Sequence, residues 1–123
     1  MNLPVARRTP WVPVQAMLLY WPYLLTMNVG TCKIRLRLPG NGTLKGKRQA
    51  ARSITGRIRN KFNVSIAEVG ENDAHQTLVL GVTCVSNDSR HANKVLSNVV
   101  DYVHDIRGDA ELLDYEVDII SGV

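Results

Sequence analysis

From Val29 onward, apolar and polar residues alternate along the chain. Cys32, Ile34, Leu36 and Leu38 fall on one side, and Thr31, Lys33, Arg35 and Arg37 on the other. This period of two predicts a half-buried strand. The stretch "PGNG", 39–42, ends it as a turn, and Thr43 is placed to cap a helix. Over 44–61 the period changes: Leu44, Ala51, Ile54 and Ile58 share one helical face, which Phe62 continues. Gly46 and Gly56 each weaken such a helix by roughly 1 kcal/mol relative to Ala, so it needs tertiary packing. A second strand is expected at "NVSIAEV", 63–69, and a polar turn at "GENDAH", 70–75. A third strand follows at "QTLVLGVTCVS", 76–86, with Leu78, Leu80, Val82 and Cys84 on one face. Asn87 or Asp88 caps a second helix whose buried stripe is Ala92, Val95, Leu96, Val99 and Val103. After "IRGDA", the last strand covers 111–120. There Leu113, Tyr115, Val117 and Ile119 alternate with Asp114, Glu116 and Asp118.

The order βαββαβ with two right-handed crossovers predicts an α+β, ferredoxin-like sandwich. It has one four-stranded antiparallel sheet, the first and third strands central, and two helices on one face. The second face of the sheet is left open. A length of 123 residues fits one domain, placed at 27–120 with a short tail at 121–123. Residues 1–26 look foreign to it and are read as a disordered extension, or as sequence upstream of a true start at Met27. The apolar run Val14–Leu25 is too short to span a bilayer, and no small-x-small cleavage site follows the arginines. A surface-lying anchor is the alternative there; no membrane partner is expected.

Composition narrows the chemistry. Aromatic residues are only 6% of the chain, so the core must be aliphatic, and the net charge of +4 favours anionic partners. Cys32 and Cys84 sit inside apolar strands without metal spacing, as reduced core residues of a cytoplasmic protein do. The charges are segregated. Lys33 to Lys61 holds ten cations and no acid, whereas all eleven acids come at Glu68 or later. Lys45, Arg48, Arg52 and Arg59 form a stripe beside the buried face of the first helix, with no acid in that helix to pair with them. Lys33, Arg35 and Arg37 point instead onto the open sheet face. There Asp114, Glu116 and Asp118 of the neighbouring last strand answer them in a charge ladder, and Glu116 and Arg35 are expected to compensate each other. That face lacks the aromatic side chains on which RNA-recognition modules stack bases.

Other chemistries fail on spacing. "GNGTLKGKR" departs from the P-loop because Gly42 and Gly46 are four apart and Arg48 stands at the hydroxyl position. The dinucleotide fingerprint fails at Lys45. What remains is a generic anion-binding loop, Gly40, Asn41, Gly42 and Thr43, at a helix N-terminus. His75, His91 and His104 are scattered, and no metal or cofactor is expected. No nucleophile stands at readable spacing from a base, so no catalytic residue is assigned and no enzymatic activity is expected.

The stretches "MNVGTCKIRLRLPGNGTLKGKR", "RIRNKFNVSIAEV", "LGVTCVSND" and "AELLDYEVDI" resemble the YlxP-like bacterial family (domain of unknown function 503) from Met27 to Ile120. The resemblance implies the ferredoxin-like fold. The family's genes commonly lie between those for translation initiation factor 2 and ribosome-binding factor A, which implies a role near translation or ribosome maturation. The chain departs from the family at Thr43, in place of a Ser, and at His75, in place of a Trp. The leading expectation is a non-catalytic accessory protein that contacts ribosomal RNA or a ribosomal subunit through Lys45, Lys47, Arg48, Arg52 and Arg59. The second is a protein-interaction or homodimerisation module using the open sheet face at Val79, Thr83 and Val85. The third is an acylphosphatase-like enzyme in which Arg48 and Asn41 hold phosphate, although that family's motif is absent.

Overall fold

A computed structural model of the chain describes residues 27–70, 74–106, 108 and 110–122. The sequence-based readings of 1–26 and Val123 lie outside the described residues. The elements are β1 (Asn28–Arg37), α1 (Leu44–Lys61), β2 (Ser65–Gly70), β3 (Thr77–Ser86), α2 (Ser89–Asp105) and β4 (Glu111–Ser121). The sheet order is β2-β3-β1-β4, every neighbouring pair antiparallel, with β1 and β3 in the centre. This is the ferredoxin-like βαββαβ arrangement. None of the described helices is long and apolar enough to cross a membrane.

Local chemistry accounts for the helix boundaries. The Thr43 hydroxyl accepts from the Gly46 amide at 3.0 Å and caps α1. At its far end the Phe62 amide donates to Ile58 O at 2.9 Å. Asp88, rather than Asn87, caps α2 by accepting from the Arg90 amide at 2.9 Å. Between helices and sheet lies an aliphatic core. Ile34, Leu36, Leu38, Ile58, Leu78, Leu80, Leu96 and Val99 are essentially inaccessible. At its border Phe62 meets the edge of Tyr102, ring centroids 5.7 Å apart, and the Lys61 ammonium stands 5.3 Å from the Tyr102 centroid.

Two register shifts change the expected alternation. Arg35 faces Asp114 but Leu36 faces Leu112, so β4 carries one extra residue at Leu113. Leu112 therefore packs against the core, and Leu113 turns outward. Tyr115, opposite Ile34 on this edge strand, stays half exposed, leaving Val117 and Ile119 as the expected residues that do pack inward. On the other edge, β2 shifts between Glu68 and Gly70. β2 begins at Ser65 instead of 63, because Asn63 and Val64 form the turn out of α1.

Candidate nucleic-acid interface

The loop from β1 to α1 is laced to the turn between β2 and β3. The Leu38 amide donates to Gln76 O at 2.8 Å, and the Asn41 amide to Leu38 O at 3.2 Å. Gly40 takes the left-handed conformation that the turn requires, with φ +76°. The Asn41 side-chain amide then donates twice, to Thr43 O at 2.9 Å and to His75 O. Both of its hydrogens are thereby engaged within the protein. Gly46 is fixed by the same arrangement, because a Cβ there would lie 2.2 Å from Asn41 Oδ1. The polar residues of the expected anion-binding loop thus join two loops: Asn41 supplies the donors, and Thr43 caps the helix.

Lys47 corrects one expectation. Expected among the RNA-contacting cations, it is only 2% exposed. Its ammonium donates to Ala74 O at 2.8 Å and lies 3.2 Å from Glu68 Oε2. The cause is helical phase. Residues 47, 51, 54 and 58 are spaced four, three and four apart, so Lys47 shares the buried face of Ala51, Ile54 and Ile58. That spacing was available in the sequence; the residue type concealed it.

The remaining stripe divides. Lys45, Arg48 and Arg52 are exposed along one side of α1, and among the described residues none of them is ion-paired. Arg59 is also exposed, but its guanidinium donates to Ile66 O of β2 at 2.9 Å. The first helical turn carries no acid. Its aligned peptide dipoles add partial positive charge near Lys45.

The cations of β1, by contrast, are answered within the sheet. Arg37 meets Glu111 at 2.8 Å and Arg35 approaches Asp114 at 3.7 Å. Lys33 stands opposite Glu116, and Thr31 opposite Asp118. Glu116 is therefore the register partner of Lys33, not of Arg35. Val79, expected on the open face, is only 4% exposed because it stands between Arg35 and Gly70, whereas Val85 is open to solvent.

The other reactive side chains are engaged or scattered. Burial pushes the Cys32 thiol up to about 11, and it raises Cys84 too. Cys84 Sγ donates to Ala92 O at 3.7 Å. Among the described residues no group of three His, Cys, Asp or Glu side chains is arranged to hold a metal ion.

Residues 29–117 match the model of a family described as Protein of unknown function (DUF503). The chain is also 39% identical to the Uncharacterized protein YlxP of Bacillus subtilis (strain 168) over 62 residues, which is 50% of this chain and 67% of that relative. The family match runs from β1 into β4 and takes in the laced loops and the α1 stripe, so the chain belongs to the YlxP-like DUF503 family.

Proposed function

We propose that this protein is a non-catalytic accessory factor that contacts the phosphate backbone of RNA through Lys45, Arg48 and Arg52. One observation carries the reading: these three cations line one exposed side of an acid-free helix, while Arg35 and Arg37 of β1 pair with acids of β4 and Lys33 stands in register with Glu116. A row of side chains on one helix matches a polymer of regularly spaced anions. Guanidinium groups also bind phosphate oxygens bidentately. Such contacts set position and affinity and carry little sequence information.

The chain's other features serve this row by holding it still. Lys47 ties the start of α1 to β2 through Glu68, and to the following turn through Ala74. The capped first turn fixes the direction of the helix. The family's gene neighbourhood makes ribosomal RNA the class of target to try first. The reading is tested by co-sedimentation of the full chain with 30S subunits. Arg48→Ala/Arg52→Ala should lose most of the binding at low salt while retaining the parent's melting temperature, because both side chains are exposed. Undiminished co-sedimentation of that variant would refute the proposal.

A further inference from the structure

The open face of the sheet is sorted by chemistry along the strands. At the end where β1 begins, Val85, Val29 and Ile120 stand side by side on β3, β1 and β4. Met27 lies two residues before Val29, on the same side of the strand. Val85, Ile120 and Met27 are 66%, 50% and 43% exposed, an apolar row facing water. The next row is Thr83, Thr31 and Asp118. Beyond it β1 presents Lys33, Arg35 and Arg37, and β4 presents Glu116, Asp114 and Glu111. The face thus has an apolar end, then a positive column beside a negative column.

This pattern complements itself under one symmetry operation. A two-fold axis parallel to the strands, above the seam between β1 and β4, lays the β1 column of one copy on the β4 column of the other. It also keeps position along the strands, so the apolar rows meet each other. A two-fold axis across the strands does the opposite, setting β1 cations on β1 cations and the apolar row on the Arg37 end. The edges offer poorer routes. Antiparallel pairing of β4 with a second β4 centred on Glu116 places Glu116 opposite itself and Asp114 opposite Asp118, which like-charge repulsion disfavours. At the other edge β2 is only six residues long, is shifted at Val69, and has its Ile66 carbonyl occupied by Arg59.

We infer that the open sheet face is a self-association surface. Two copies of the chain pack it face to face about an axis parallel to the strands, joining Val29 of each copy to Ile120 of the other and the β1 cations to the β4 acids. Sheets packed in this way lie about 10 Å apart with their strands roughly aligned. The overlap of two strands, about 30 Å by 10 Å from strand rise and spacing, is well below the roughly 800 Å² per partner of a standard interface. Its size places the dimer among weak, transient interfaces.

Sedimentation equilibrium of the full chain, up to about 1 mM protein, tests this. The expected result is a monomer–dimer equilibrium that weakens several-fold between about 50 and about 500 mM salt as the charged columns are screened. Ile120→Lys, at an exposed position, should raise the dissociation constant at least tenfold with an unchanged melting temperature. The exchange Arg35→Asp/Asp114→Arg preserves the ladder inside each copy and should still self-associate, but should dimerise poorly with the parent chain. A chain that stays monomeric throughout overturns the inference, as does undiminished dimerisation of Ile120→Lys or indiscriminate mixing of the exchanged and parent chains. In those cases the face belongs to another partner, or dimers form elsewhere.

Discussion

At the scale of single residues, Lys47 is the side chain whose setting departs furthest from its type. A lysine that is 2% exposed must be both paired and hydrogen-bonded, and here Glu68 and Ala74 O supply those partners. Removing one member of such a pair costs more than the pair is worth, because the other is left uncompensated. Lys47→Met, which leaves the buried Glu68 Oε2 without its cation, should therefore destabilise the protein by about 2–4 kcal/mol, and Lys47→Met/Glu68→Leu by clearly less, as read from denaturant midpoints at constant m-value. Cys32 provides a pH-dependent counterpart. Its folded pKa is raised to about 11, above the ordinary thiol value of 9.0, so its contribution is fully present below about pH 9. It is lost as pH rises from about 9 to 11, because the unfolded chain releases that proton first. Stability should fall over that window more steeply in the parent than in Cys32→Ala. Parallel curves for the two proteins would contradict the burial of an un-ionised thiol.

At the scale of elements, α1 contains two glycines with opposite meanings. Propensity alone treats Gly46 and Gly56 alike, each costing helix stability. Around Gly56 there is nothing within 4 Å of an added Cβ, so Gly56→Ala should stabilise by about 0.5–1 kcal/mol. Gly46→Ala should instead destabilise, since its methyl displaces Asn41 from Thr43 O and His75 O and unlaces the two loops. Thermal melts of the two variants should move in opposite directions. The β1–β4 ladder makes a similarly specific claim. Arg35→Glu and Asp114→Arg should couple by about 0.2–1 kcal/mol in a double-mutant cycle, and Arg35 with Glu116 by less, because register partners interact more strongly than diagonal neighbours. Equal coupling in both cycles would place the extra residue of β4 elsewhere.

At the scale of the whole molecule, the fold was legible because its determinants are local and periodic. Alternation marked β1 and β3, the apolar stripes marked both helices, and Thr43 marked the start of α1. Crossover handedness then left one sheet order for that element sequence. The two edge strands were less legible. A single extra residue at Leu113 or Val69 reverses which side chains face the core, and nothing in residue type announces it. The candidate interface was legible as a charge pattern but not residue by residue. Lys47 turned inward because helical phase outweighs polarity when an acid and a carbonyl wait on the buried side. Arg59 went to a carbonyl of β2, a contact between elements that spacing within one helix cannot reveal.

The salt dependence of RNA binding is the direct readout of the proposed joint action of Lys45, Arg48 and Arg52 on a phosphate backbone. Each phosphate neutralised contributes a log–log slope of roughly −0.7 to −0.9, so three contacts predict about −2 to −3. Arg48→Ala/Arg52→Ala should flatten that slope by about 1.5 and weaken binding by similar factors across unrelated RNA sequences. A slope that the double substitution leaves unchanged, or a loss confined to one sequence, would contradict the claim.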